Sequence, residues 1–157
     1  LGFPAGQKIE ELAKDGSYVK LPYSVKGMDV EFSGMITEAI KKLNQGFSLN
    51  DLCYSLQETC FSMLTEVTER ALAHTEKSEV IVIGGVAANK RFNEMLSIMC
   101  KERNAKFYIC PIKYAGDQAV MIAYLGLKIF RSKKFQSINQ LDILPRWRVD
   151  ELKVNWA

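Results

Sequence analysis

The 157-residue chain has a single histidine and no Cys-x-x-Cys pair. It also has no apolar run near the roughly 20 residues of a membrane span. Its four cysteines, Cys53, Cys60, Cys100 and Cys110, lack the paired spacing of a zinc finger. Cys53 and Cys60 sit among apolar neighbours on one helix face, which fits free, buried thiols in a reducing cytoplasm. The longest apolar stretch, 80–88, is interrupted by Gly84 and Gly85. No basic-then-apolar leader is visible, so no secretory signal is expected. The abrupt opening Leu1-Gly2-Phe3-Pro4 leads us to expect a domain cut from a longer chain. No Ser or Cys has a His and Asp retinue, so nucleophilic hydrolysis is poorly supported. An apolar share of 48% with 25% charged residues excludes disorder and low-complexity architecture.

A net charge of +3 with mixed signs is too mild to argue for nucleic acid by itself. The one basic cluster, Lys128, Arg131, Lys133 and Lys134, reads first as a solvated helix end and second as a phosphate-backbone contact. His74, near a helix end, reads as a dipole partner rather than a ligand. Glu10 and Glu11 read as an exposed helix face.

Apolar periodicity predicts a short helix over 7–14, a second over 33–43 and a long third over 48–75. Ser48 followed by Asp51 fits a capping-box variant at the start of the third. In the second, Met35, Ile36, Ala39, Ile40 and Leu43 share one face. The pattern then changes. Glu79 to Ile83 is continuous and β-branched, as in a buried parallel strand. A helix follows to about Arg103, buried through Ala88, Phe92, Met95, Leu96 and Met99. A strand over 107–110 stops at Pro111. After a loop, a helix over 118–131 turns Met121, Ile122, Leu125 and Ile129 inward. The order predicts an α/β layout with right-handed crossovers. Two strands are too few for a stable sheet, so more are expected from residues before Leu1. Three segments are expected: a mainly helical part at 1–75, a strand-helix-strand-helix core at 76–135 and a tail at 136–157.

Ligands of open α/β sheets bind beyond the carboxyl ends of the strands. Here those ends are Gly84-Gly85 and the loop Tyr114-Ala115-Gly116-Asp117, which should converge on one crevice. Gly84-Gly85 admits two readings, a tight turn or a close approach to phosphate assisted by the following helix N-terminus. Asp117 likewise reads as a helix N-cap or as a metal ligand. One carboxylate cannot hold a metal, so further ligands would have to come from outside the chain.

Taken together, Gly84-Gly85-Val86-Ala87-Ala88-Asn89 and Asp117-Gln118-Ala119-Val120-Met121-Ile122-Ala123 resemble the tRNA threonylcarbamoyladenosine transferase family. That family was once labelled O-sialoglycoprotein endopeptidases; no residue here supports a peptidase. Further matches are Pro4 to Glu10, Val25 to Asp29, Phe32-Ser33-Gly34, Ser55-Leu56-Gln57-Glu58, Ala71 to Thr75 and Val154-Asn155-Trp156. The likeness spans almost the whole chain and is closer to the archaeal branch.

The resemblance implies the C-terminal part of an actin-like ATPase (RNase H-like) fold, with an incomplete sheet. It implies transfer of threonylcarbamoyl from threonylcarbamoyl-AMP to N6 of the adenine beside the anticodon, in tRNAs reading codons that start with A. It implies a cleft metal, iron or zinc, with Asp117 as its carboxylate ligand. That metal would orient the mixed anhydride and offset charge as AMP leaves. Gly84 and Gly85 would lie against the phosphate, Asn89 would contact the nucleotide, and Gly6 and Glu10 would hold the adenosine. Implied partners are tRNA and the other subunits of a KEOPS-type complex, including a small kinase or ATPase that can be fused downstream and a small dimerising subunit; no membrane is implied. Departures are Gln118 and Ala119 after the Asp, Ala5 for a family glycine, and the lack of the H-x-x-x-H motif. The chain alone is therefore expected to be inactive. The alternatives are a noncatalytic actin-like nucleotide-binding lobe and a small-molecule kinase or ATPase.

Overall fold

A computed structural model of the chain describes residues 1–2, 4–116, 118–133, 137–140, 142–148, 151–152 and 154. The described elements, in order, are α1 (Gly6–Leu12), β1 (Val25–Lys26), β2 (Asp29–Val30), α2 (Ser33–Asn44), α3 (Leu49–His74), β3 (Glu79–Val82), α4 (Lys90–Glu102), β4 (Lys106–Ile109), α5 (Ile112–Ala115) and α6 (Ala119–Arg131). Short 3-10 turns follow α1 at Ala13–Asp15, precede α4 at Gly85–Ala88, and lie at Ile138–Gln140. The chain forms two compact units, Leu1–Ala115 and Gly116–Ala157. Among the described residues, no helix is long and apolar enough to cross a membrane.

The 26-residue α3 is the spine of the first unit. Its apolar residues recur every three or four positions, so it presents stripes to more than one neighbour. Along one of them Phe61 and Leu72 meet Phe92, Leu96, Met99 and Cys100, with Val80, Val82 and Phe107 of the sheet packed against the cluster. The rings of Phe61 and Phe92 stack at 4.9 Å. On another stripe Leu56 and Cys60 support a smaller cluster of Leu21, Met35 and Ala39. The four thiols are free. Burial pushes the thiols of Cys53, Cys60 and Cys100 above their ordinary range, as expected of packing rather than reactive cysteines.

Polar side chains of α3 fasten the segment that returns from α1. Asp51 accepts from the Ser17 N–H at 2.7 Å, and the Ser55 hydroxyl, fully buried, accepts from the Val19 N–H at 2.7 Å. This corrects the expected capping box: Ser48 makes no side-chain cap, because Asp51 is recruited by the passing Ser17 backbone. The crossing is so close that a Cβ on Gly16 would stand 2.3 Å from the Asn50 carbonyl oxygen. Farther along α3, Glu66 accepts from the Tyr23 hydroxyl and pairs with Arg70, whose guanidinium also donates to the Gly27 carbonyl. That network holds the β1–β2 hairpin, which pairs antiparallel and was not anticipated.

β3 and β4 pair in parallel, with Val80 opposite Phe107 and Val82 opposite Ile109. Continuous burial was expected of β3, but only one face is covered. Ile81 and Ile83 are 65% and 70% exposed, because no described layer of this unit lies over that side. The expected inward face of the helix over 118–131 is corrected likewise. α6 spans 119–131 but buries none of its residues, and Met121, Ile122 and Leu125 are exposed. On α2, Met35 and Ala39 are buried as expected, whereas Ile36, Ile40 and Leu43 are exposed.

Candidate functional site

The parallel register puts the ends of β3 and β4 side by side, and the Cys110 N–H extends the pairing to the Val82 carbonyl at 2.9 Å. Beyond β3 the chain turns at Gly84, whose φ of 88° and ψ of 176° fall in a region essentially restricted to glycine. The anticipated helix does not start there. Gly85–Ala88 forms a 3-10 turn closed by the Ala87 N–H on the Gly84 carbonyl at 3.1 Å, and α4 begins only at Lys90. Ala87 is buried beneath the turn, whereas Ala88, expected inside, is exposed. Beyond β4, the expected loop contains α5, which packs against this same turn. Gly85–Ala88 and α5 thus lie together beyond the carboxyl ends of the strands.

Asn89 caps α4. Its Oδ1 accepts from the Phe92 N–H at 3.1 Å, and its Nδ2 donates to Gln57 Oε1 on α3 at 3.2 Å. Glu10 reaches the same place from α1, where its Oε1 accepts from the Lys90 N–H at 3.3 Å. Gly6 lies one turn before Glu10 at the start of α1. Thus Glu10, Gly84, Gly85 and Asn89, which are far apart in sequence, surround one turn and helix start. Asp117 lies outside the described residues, as does Lys134 of the basic cluster.

Four residues not singled out individually, Arg91, Glu58, Glu94 and Asn93, secure this corner. Arg91 grips Glu58 of α3 with two hydrogen bonds, Nε to Oε1 at 2.8 Å and Nη2 to Oε2 at 2.9 Å, and reaches Glu94 with Nη1. These carboxylates push the guanidinium further up, Glu58 most. Asn93 donates to the Ala87 carbonyl at 2.7 Å, tying the turn to α4. The sequence signal was the adjacent polar pair Gln57-Glu58 within an otherwise apolar-striped helix.

Among the described residues, no three His, Cys, Asp or Glu side chains converge to hold a metal ion. A carboxylate such as Asp117 is a suitable donor type, but one donor is not a site. A hollow of about 480 Å³ is lined by Lys77, Ser78, Glu79, Val80, Ile81 and Tyr108. It lies toward the amino ends of the strands and contains none of the predicted site residues.

The fold is an α/β domain in which a glycine turn at the carboxyl ends of parallel strands is backed by polar side chains from three helices, and this corner is the candidate site. Residues 1–124 match the family model of tRNA N6-adenosine threonylcarbamoyltransferase. The chain belongs to that family. It is 51% identical to the tRNA N6-adenosine threonylcarbamoyltransferase of Archaeoglobus fulgidus, over 99% of this chain and 49% of the relative. The protein of the same description from Thermococcus sibiricus is 50% identical, again over 99% and 49%. A probable bifunctional tRNA threonylcarbamoyladenosine biosynthesis protein of Methanocaldococcus jannaschii is 52% identical, over 99% of this chain and 29% of the relative. The chain thus spans about half the length of the two transferases and less of the bifunctional protein.

Proposed function

We propose that the chain supplies part of the nucleotide site of a tRNA N6-adenosine threonylcarbamoyltransferase with an actin-like fold. The complete protein would transfer threonylcarbamoyl from threonylcarbamoyl-AMP to N6 of the adenine beside the anticodon, within a KEOPS-type complex. The observation that carries this reading is the family match over 1–124, a range that includes Gly6, Glu10, Gly84, Gly85, Asn89 and Asp117.

In this reading the Gly84-Gly85 turn admits the phosphate close to the backbone, since neither residue has a Cβ to keep it away. Glu10, an acceptor-only carboxylate, receives ribose hydroxyls. Asn89 donates to the nucleotide through its amide. The tRNA amine attacks the carbamoyl carbon, the bond to the phosphate oxygen breaks, and AMP leaves as the amine gives up a proton. Iron or zinc, with Asp117 among its ligands, would supply Lewis-acid stabilisation when bound; further ligands would have to come from outside this chain. The Methanocaldococcus jannaschii relative is described as bifunctional, which fits a second function carried on one chain; in this reading that function belongs to a small kinase or ATPase partner, fused or separate.

The test is a reconstituted tRNA modification reaction with threonylcarbamoyl-AMP. The complete protein with its partners is expected to form the modified nucleoside. The 157-residue chain by itself is expected to form none and to retain iron or zinc well below one ion per chain. Tight stoichiometric metal on the isolated chain would contradict the ligand assignment.

A further inference from the structure

Gln57 stands at an unusual point of α3. It is partly buried, and its Oε1 accepts from Asn89, the residue that both caps α4 and borders the glycine turn. A primary amide is asymmetric, with an acceptor at one end and two N–H donors at the other. The Phe92 N–H can only donate, so it selects the orientation in which Asn89 presents its oxygen to α4. Gln57 Oε1 then accepts one Nδ2 hydrogen and fixes the direction of that donor. In that orientation one Nδ2 hydrogen goes to Gln57, and the second has no partner among the described residues. Next to Gln57, Glu58 holds Arg91 by two hydrogen bonds, which fixes the register of α3 on α4 and keeps Gln57 within reach.

We propose that Gln57 is a positioning residue that sets the Asn89 amide for the nucleotide. This inference rests on the nucleotide role proposed for Asn89. Gln57 touches no substrate; it acts by holding a donor in one direction, which lowers the ordering cost of binding.

The experiment uses the full-length protein, with AMP as the binding probe and threonylcarbamoyl-AMP as the substrate. The variants are Gln57→Leu, Asn89→Ala and the double substitution. Each single variant is expected to weaken AMP about tenfold, and the double variant is expected to be no weaker than Asn89→Ala alone, as for two residues acting through one contact. For Gln57→Leu the KM for threonylcarbamoyl-AMP should rise while kcat and melting temperature stay near wild type, a split that general loosening of the fold would not produce. Gln57→Asn keeps the amide and shortens its reach, and gives the same readout if the leucine variant does not fold. If Asn89→Ala weakens AMP but neither Gln57 variant does, or if the double variant loses the full sum of both effects, the positioning role is wrong and the role of Asn89 stands. If Asn89→Ala leaves AMP affinity unchanged, the nucleotide role of Asn89 is wrong and the positioning role goes with it.

Discussion

Gly84 and Gly85 are adjacent, yet only Gly84 has a backbone conformation that requires glycine, and two alanine substitutions separate that requirement from the proposed phosphate role. At Gly84 the backbone has φ 88° and ψ 176°, while a Cβ would meet nothing within 4 Å. The cost of Gly84→Ala is therefore conformational alone, about 1–3 kcal/mol for a side chain forced into this region. At Gly85 the φ is not positive and a Cβ again meets nothing within 4 Å. Gly85→Ala should then be neutral or stabilising by up to about 1 kcal/mol, because alanine restricts the unfolded chain. In the proposed site, however, the new methyl stands where a phosphate approaches. We expect the KM for threonylcarbamoyl-AMP to rise at least about tenfold, equivalent to about 1.4 kcal/mol of lost binding. Chemical denaturation of the full-length variants gives the stability difference, and the reconstituted modification assay gives KM. Gly85→Ala should separate the two readouts, with stability intact and KM raised. If it destabilises the protein and leaves KM at the wild-type value, the pair serves only as a turn and the phosphate role is refuted.

Two further predictions concern the scaffold. Leu96 is 1% exposed between α3 and the sheet, so Leu96→Ala should cost about 2–5 kcal/mol through lost burial and a residual cavity, read as a lower denaturation midpoint with an unchanged slope. The Tyr23 phenol is pushed up to about 12, first by burial and then by its hydrogen bond to Glu66. A pKa raised in the folded state means the contribution is fully present below pH 10 and fades as pH rises from 10 toward 12; Tyr23→Phe should flatten the stability profile in that window, and an unchanged slope there would contradict the pairing.

Helices whose apolar periodicity serves their own unit were legible in the sequence. α3 and α4 appear close to where their three- and four-residue spacings place them, and the parallel pairing of β3 with β4 follows from the strand-helix-strand order. Features decided by a distant partner were not legible. Asp51 looks like part of a local cap until Ser17 passes within hydrogen-bonding distance. The β1–β2 hairpin has two residues per strand, too few to show alternation, and is held instead by Glu66 and Arg70 from α3. Periodicity also identifies an apolar face without saying what covers it, which is why Ile81, Ile83 and Met121, Ile122 and Leu125 of α6 are expected inside and are exposed. At the site, Gly84-Gly85 and Asn89 stood out as a motif. The meeting of Glu10 with the Lys90 amide, 80 residues away, and the service of Gln57 to Asn89 needed three dimensions.

In the proposed site Asp117 binds the metal on which threonylcarbamoyl transfer depends. The most direct test is the yield of threonylcarbamoyladenosine from the complete protein and its partners, comparing wild type with Asp117→Ala after circular dichroism shows both folded. The wild type is expected to form the modified nucleoside and Asp117→Ala none; an equal yield from the two would overturn the metal-ligand assignment.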